Sequence, residues 1–211
     1  MRARLAGILL FLPVPLVLGL FTRLPLGTLP SLGLGTVLML SHRLYARPFA
    51  LSRALSRCLY CGGPGMSGPV LAYREPMGET SWRCCRETHA VRVGRVLGWA
   101  ARHSSFLKVG ILGALGLFVP GAALSGLGLL GPLTTMDMVA TFRVMIALTV
   151  LPFSFLSPAF PPRGDQVRVP FPLHIQALIG TQSVLWLFRI VGVIWLLMGL
   201  AHGLDRAHLL P

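Results

Sequence analysis

Apolar residues in this chain are gathered into five long runs, and polar residues are concentrated between the second and the third. The runs cover roughly residues 5–21, 26–40, 106–130, 138–156 and 175–201. A helix needs about 20 apolar residues to cross the roughly 30 Å hydrocarbon core of a bilayer, with about 17 as the lower limit. The last three runs meet this requirement, the first is borderline, and the second is short and contains Pro30. The pattern predicts an all-α polytopic membrane protein with four to five transmembrane helices.

The polar stretch between the second and third runs has its own local pattern. Short apolar segments at 70–74 and 80–84 flank the turn residues at 76–78, which predicts a β-hairpin. Beyond Cys85, apolar residues recur at helical spacing, which predicts a helix. We therefore expect three parts: a transmembrane hairpin at 1–45, a polar module at 46–105 with basic amphipathic helices, and transmembrane helices three to five at 106–211.

Composition and charge place the chain in a membrane and give it an orientation. The chain is 54% hydrophobic with a mean hydropathy of +0.73, and its net charge of +13 comes from 18 arginines and one lysine. Most of these basic residues lie between the second and third runs, and basic loops beside membrane spans remain in the cytoplasm. We expect an integral protein of a bacterial inner (cytoplasmic) membrane, with its N-terminus and its polar module in the cytoplasm. In that reducing compartment, cysteines act as metal ligands or redox groups more often than as structural disulfides.

All four cysteines lie in the polar module. Zinc prefers four tetrahedral nitrogen or sulfur ligands, and two of them commonly come from a C-x2-C turn such as the one at Cys58 and Cys61. Cys85 and His89 stand at i and i+4, on one face of a helix, whereas Cys84 is five residues from the histidine. We predict a Zn²⁺ site formed by Cys58, Cys61, Cys85 and His89, with Cys84 as the alternative to Cys85.

The order of these features resembles a known class of metal-binding fold. A C-x2-C turn, a hairpin with an aromatic residue, and a Cys-x3-His pair at a helix start are similar to a treble-clef zinc knuckle of the TRASH or FCS type. The resemblance covers residues 58–103, and it departs from that class in the adjacent Cys84 and Cys85 and in the histidine as last ligand. It implies a zinc ion held by a hairpin and a helix, but it implies no activity. The membrane part resembles no family.

Two of the charged residues in or near the apolar runs are candidates for a role within the membrane. Arg189 lies near the middle of the fifth run, where a charge costs about 2.5–3.5 kcal/mol on insertion scales. It is therefore a candidate intramembrane functional residue, and its structural alternative is an arginine paired with another helix. Asp137 is its candidate partner, but an acid in a first helical turn after Thr134 also has an ordinary capping role. The glycines of the third run predict close packing between helices.

Motifs for catalysis are not found in the sequence. It contains no G-x-S-x-G, no H-E-x-x-H and no phosphate-binding glycine loop, and six acids offer few acid–base pairs. An enzyme is therefore the less favoured interpretation.

We expect instead a scaffold or interaction protein whose zinc module presents a basic surface to anionic lipid headgroups or to a protein partner. Nucleic acid is not the expected partner, because arginines beside membrane spans are explained by topology and anionic lipid. Two alternatives stay open. One is a small transporter or a soft-metal-handling membrane protein that uses Arg189 or the cysteines, and the other is a membrane thiol oxidoreductase.

Overall fold

The computed structural model describes residues 44, 48–49, 52, 55–64, 68–76, 78–131, 133–162, 167–171 and 173–207. The two transmembrane helices predicted from the first two apolar runs lie outside the described residues. Within the described part, the protein is mostly helical with one small sheet, and it divides into two compact units. The first unit comprises the described residues through Ala101 and those of Phe160–Val184. The second comprises Arg102–Ala159 and the described residues from Leu185 onward.

The first unit contains a three-stranded sheet. Strands β1 (Val70–Glu75) and β2 (Gly78–Arg83) pair in antiparallel fashion, with Glu75 opposite Gly78. A third strand, β3 (Val167–Arg168), pairs parallel to β1 and gives the order β2-β1-β3. The predicted hairpin is therefore confirmed, and the structure adds a strand from a distant part of the chain.

Helix α1 (Glu87–Arg102) follows the hairpin, as predicted. Glu87 in its first turn and Arg102 in its last turn complement the helix dipole. Its buried face packs on the sheet and on the segment that precedes the hairpin, forming one core. The members of this core are Cys58, Leu59, Tyr73, Trp82, Cys84, Ala90, Val93, Leu97, Val169, Leu173 and Ala177.

The fifth apolar run is divided between the two units. Its first residues form a short helix, α4 (His174–Ile179), which ends at Gly180 with a positive φ of 92°. Leu173, Ala177 and Leu178 are fully or almost fully buried, so this segment contributes to the module core and not to a lipid-facing surface. The predicted limits of the module, 46–105, did not include it, because an apolar run has the same composition in a protein core as in a bilayer.

Three described helices could span a membrane by length and composition. They are α2 (Ser104–Gly126), α3 (Thr135–Leu156, extended by a 3₁₀ turn at Ser157–Ala159) and α5 (Thr181–Arg206). The first four residues of α5 belong to the first unit, and the rest of the helix belongs to the second. The chain therefore has the features of an integral membrane protein with at least these three candidate spans.

Helices α2 and α3 pack closely at the glycines of α2. A Cβ atom on Gly110 would lie 2.2 Å from the hydroxyl oxygen of Thr149, and one on Gly121 would lie 2.6 Å from the sulfur of Met138. A larger residue at Gly110 would collide with the short, branched side chain of Thr149, and one at Gly121 would require the Met138 side chain to move. The prediction that the glycines serve close helix packing is confirmed at both positions.

Candidate metal centre

The first pair of predicted ligands lies on a tight turn, the knuckle loop (residues 58–63). The Cys58 N–H donates to the Gly63 carbonyl at 2.7 Å, and the Gly62 N–H donates to the Cys58 carbonyl at 2.8 Å. Gly62 has a φ of 69°, a left-handed conformation that favours glycine. The Leu59 N–H donates to the Arg83 carbonyl at 2.8 Å and so attaches the loop to the end of β2. These bonds hold both thiols of the C-x2-C turn at one side of the loop.

The second pair lies where β2 passes into α1. The buried side chains of Trp82 and Cys84 alternate with exposed Arg83 and half-buried Cys85, as in an extended strand. The Cys84 N–H donates to the Pro69 carbonyl at 3.0 Å, which extends the pairing beyond β2. This alternation turns Cys84 into the core and leaves Cys85 directed toward His89, in the first turn of α1.

The four predicted ligands meet at one point. Their ligand atoms all lie within 4.8 Å of one another. The Cys61 and Cys85 sulfurs are 3.8 Å apart, the Cys58 sulfur is 3.6 Å from His89 Nδ1, and the Cys85 sulfur is 3.1 Å from the same nitrogen. Tetrahedral zinc with its usual bond lengths requires about 3.8 Å between sulfurs and about 3.6 Å between sulfur and nitrogen. Two of the three observed distances match these expected separations, and the third is shorter by about half an ångström. This group of three cysteines and one histidine therefore fits a tetrahedral metal ion.

The thiols of the group differ in their protonation. Burial raises the pKa of Cys58, but the backbone N–H groups of Cys61, Cys85 and Tyr60 and the His89 side chain lower it to a net value of about 6. Desolvation and hydrogen bonds with the neighbouring thiols raise the pKa of Cys85 to about 11. Because a bound metal ion stabilises thiolates, a divalent cation would replace the proton that Cys85 otherwise keeps.

Cys84 is outside the group of ligand atoms. Its side chain is fully buried. Burial is the main cause that raises its pKa to about 12, and the neighbouring Cys58 is the next. It also lies where two backbone segments touch, since a Cβ on Gly68 would come within 1.6 Å of the Cys84 carbonyl oxygen. The structure therefore places Cys84 as a neutral core thiol and does not bring it to the position of its alternative, Cys85.

An aromatic side chain and an arginine border the group. The Tyr60 ring lies 4.9 Å from the His89 ring, and the Arg92 guanidinium lies 5.6 Å from the centre of the Tyr60 ring. Three thiolates, one neutral imidazole and a divalent cation would carry a net charge of −1, which a nearby guanidinium favours. Neither Tyr60 nor Arg92 was predicted from the sequence as part of the site, although the position of Tyr60 inside the C-x2-C turn was a usable signal.

Arg189 binds the end of α3. Its Nε and Nη2 both donate to the Ser154 carbonyl, at 3.1 and 2.8 Å, and its guanidinium lies 4.9 Å from the Phe155 ring. The residue four positions after Ser154 is Pro158, which has no N–H, so the usual i+4 donor to this carbonyl is missing. Arg189 therefore contacts the Ser154 carbonyl, and Asp137, its candidate partner from the sequence, is bound to other residues.

Asp137 has other partners. It forms a capping box with Thr134, whose N–H donates to Asp137 Oδ2 at 2.6 Å, and it accepts from His202 and Arg206, each at 2.8 Å. The interpretation of Asp137 as a first-turn capping acid is confirmed. Its bonds to His202 and Arg206 join α3 to the end of α5.

Comparisons with known proteins found no relative of this chain. No family model, no curated protein and no solved structure matches the chain. The likeness to a zinc knuckle therefore rests on the four converging ligands and on their hairpin and helix.

Proposed function

We propose that this chain is an integral membrane protein in which one structural Zn²⁺ stabilises a small cytoplasmic module, and that the module serves as a scaffold or interaction surface. The ligands are Cys58, Cys61, Cys85 and His89. The observation that carries the proposal is the convergence of four ligand atoms from two separate segments to within 4.8 Å.

The ligand set supports zinc in a structural role. Thiolates and imidazole at tetrahedral spacing are typical of zinc, and carboxylate, which harder cations prefer, takes no part in this group. Catalytic zinc keeps one position open for water or substrate, whereas here the protein supplies all four. The ion would hold the knuckle loop against the start of α1.

The module has few other means of support. In the part of the module that the structure describes, the sheet has three strands, and β3 contributes two residues. Folded units with so little core commonly depend on a metal ion or on disulfides, and a cytoplasmic module has no oxidising environment for disulfides. Zinc binding would therefore add to the stability of the module, chiefly by holding the knuckle loop to the start of α1.

Chain connectivity supports a single side of the membrane for all parts of the module. Two candidate spans, α2 and α3, separate β1 from β3. A chain that crosses a bilayer twice returns to its starting side, which agrees with the pairing of these two strands in one sheet. The density of arginines in the module supports the cytoplasmic side, with the N-terminus on the same side of a bacterial inner membrane.

The outer face of the sheet supplies a basic surface. The register places Arg74 beside Arg168, and Arg83 lies further along the neighbouring strand β2. All three are exposed, and Glu79, which pairs with Arg74 at 3.2 Å, is the acid among them. Such a face suits anionic lipid headgroups or an acidic protein segment.

Metal quantification tests the proposal directly. The purified wild-type protein should contain about one zinc per chain, the Cys58→Ser variant should lose it, and the matched Cys84→Ser variant should keep it. Since Cys58→Ser is also expected to loosen the knuckle loop itself, His89→Cys provides a second test, because a site of four cysteines still holds zinc.

Other results would favour the alternatives. Copper in place of zinc would favour a soft-metal-handling protein, and a reversible disulfide between Cys61 and Cys85 would favour a thiol oxidoreductase. Wild-type protein that contains no metal after purification without chelators would contradict the proposal.

A further inference from the structure

The first turn of the membrane helix α5 lies against the knuckle loop. The Thr181 N–H donates to the Leu59 carbonyl at 2.9 Å, and the Gln182 N–H donates to the Tyr60 carbonyl at 3.0 Å. The Thr181 hydroxyl donates to the Leu59 carbonyl as well, at 2.8 Å, in a buried position. The first N–H groups of any helix have no partner within it. At α5, two residues that lie between zinc ligands provide these partners.

Two glycines make this approach close. A Cβ on Gly62 would lie 2.8 Å from the backbone carbon of Ile179, and a Cβ on Gly180 would lie 2.6 Å from the backbone carbon of Cys61. Both glycines have positive φ, at 69° and 92°. The contact is therefore one of backbone against backbone, and side chains larger than hydrogen would separate the two segments.

Arg57 adds a bond across the same contact. Its Nη1 donates both to the Gly62 carbonyl in the knuckle loop and to the Leu178 carbonyl at the end of α4, each at 3.1 Å. The knuckle loop is thus attached to the α4–α5 junction by one side chain as well as by its own carbonyls.

We propose that the metal ion, by fixing the knuckle loop, controls the capping of α5, so that metal occupancy is coupled to the order of the N-terminus of a membrane helix. Leu59 and Tyr60 lie between Cys58 and Cys61, and the directions of their carbonyls follow from the turn that two metal bonds would fix. The inference rests on the proposed zinc site. By thermodynamic linkage, a change that weakens the capping of α5 must weaken zinc binding by the same factor.

A second attachment confines the effect to the junction. The buried carboxylate of Glu75 accepts a hydrogen bond from the Leu173 N–H at 3.0 Å, which holds the start of α4 to the hairpin without the metal. Loss of the ion therefore releases the knuckle loop and the first turn of α5, while β1 and β2 stay paired.

Amide hydrogen exchange on the full-length protein in detergent micelles follows this release. We expect the amides of Thr181 and Gln182 to lose protection when a chelator removes zinc, while amides of β1 and of residues 190–200 within α5 stay protected. Equal protection of the two amides with and without zinc would overturn the inference and leave the proposed zinc site intact.

The Gly62→Ala variant separates the contact from the metal. It should still bind zinc, with a weakened affinity, and in the zinc-loaded state it should lose protection at Thr181 and Gln182, because the added methyl group meets Ile179. Gly78→Ala is the matched control, since Gly78 also has positive φ, at 126°, but a Cβ there meets nothing within 4 Å. Zinc-loaded Gly62→Ala protein with wild-type protection at both amides would contradict the inference.

The linkage can also be tested by changing the cap of α5 and measuring zinc affinity, with a Thr181→Val variant. Removal of one hydroxyl hydrogen bond to Leu59 should weaken zinc binding several-fold, up to about tenfold. Thr141→Val is the control, because the Thr141 hydroxyl also donates to a backbone carbonyl, that of Asp137, far from the cysteines in sequence. Equal affinities in both variants would overturn the coupling, and failure of the wild type to bind zinc would overturn both the coupling and the zinc site.

Discussion

Glu75 is a buried carboxylate with only 7% of its surface exposed, and every bond it makes holds the module together. Its Oε1 accepts from the Thr80 hydroxyl and from the Trp82 indole N–H, the latter at 2.8 Å. Its Oε2 accepts from the Leu173 N–H. A buried charge is tolerated only where hydrogen bonds replace its hydration, and here three donors do so. Glu75 therefore connects β1, β2 and the start of α4 through one side chain.

Replacement of this carboxylate should destabilise the protein. We expect Glu75→Gln to lower the free energy of unfolding by about 1–3 kcal/mol, because an amide NH₂ would face a donor. The Glu79→Gln variant, which removes an exposed partner of Arg74, should change it by less than about 1 kcal/mol. Urea unfolding of the zinc-loaded protein in detergent, followed by tryptophan fluorescence, measures both. Equal losses in the two variants would show that the bonds of Glu75 add little.

Cys84 should be the least reactive cysteine at neutral pH. The thiolate is the nucleophile, and a pKa of about 12 leaves almost none of it, since protonation is complete well below that value. After chelation, iodoacetamide at about pH 7.5 should modify Cys61, which is partly exposed, and should reach the fully buried Cys84 only after urea is added. Mass spectrometry of the alkylated peptides detects the order. Modification of Cys84 together with Cys61 in the absence of urea would contradict its placement in the core.

At the scale of elements, the end of α3 depends on a partner from another helix. Pro158 removes the N–H that would bond the Ser154 carbonyl, and Arg189 of α5 replaces it with two donors. A cation at a helix C-terminus also complements the helix dipole. These contacts give Arg189 a structural role that accounts for a charged side chain within a candidate span.

A double-mutant cycle tests this role. Arg189→Leu should lower the stability of the protein in detergent by about 1–3 kcal/mol, because the carbonyl is left without a donor. In a Pro158→Ala background the loss should be smaller, since the new backbone N–H at position 158 supplies a bond. Thermal unfolding measures the stability of the four proteins. The Arg143→Leu variant, in α3, is the control that gives the stability change for an arginine-to-leucine replacement at another position. Identical losses in both backgrounds would exclude the proposed capping.

Some elements follow from local sequence and others do not. The hairpin and α1 were predictable, because turn residues and helical spacing are local signals. The convergence of Cys58, Cys61, Cys85 and His89 follows likewise from two short spacings attached to those elements. The break at Gly180 was not predictable from hydropathy, because the same apolar run serves a core and a bilayer. The pairing of β3 with β1, and the capping of α5 by the knuckle loop, join backbone groups about 90 or more residues apart, and backbone contacts leave little trace in side-chain pattern.

At the scale of the whole molecule, the sheet constrains how the chain can cross a membrane. Since β1 and β3 share one sheet, the segments on either side of the α2–α3 pair must lie on the same side of the bilayer. If α2 and α3 each cross the bilayer, the connection between them lies on the opposite side. Any topology with a single crossing between residues 102 and 160 is incompatible with this sheet.

Protease sites inserted into two loops should therefore show opposite accessibility. In sealed inside-out vesicles, a site inserted at 163–166 should be cleaved and one inserted at 129–131 should be protected, because the module is expected in the cytoplasm. Right-side-out vesicles should reverse the pattern, and detergent should expose both sites. Cleavage of both sites from one side would contradict the two crossings, and the reversed pattern would place the module outside the cell.

The attachment of α5 to the knuckle loop also sets an order of events during synthesis. Thr181 is translated about 90 residues after His89, which at about 5–20 residues per second is a delay of roughly 5–20 s. During that interval α2 and α3 leave the ribosome. The cysteines are already made, but the core around them still lacks Val169, Leu173 and Ala177. A nascent chain that binds its ion early would have the knuckle loop already folded when α5 is made, so that its carbonyls could cap the helix at once. A chain that binds its ion late would leave the N-terminus of α5 uncapped until then.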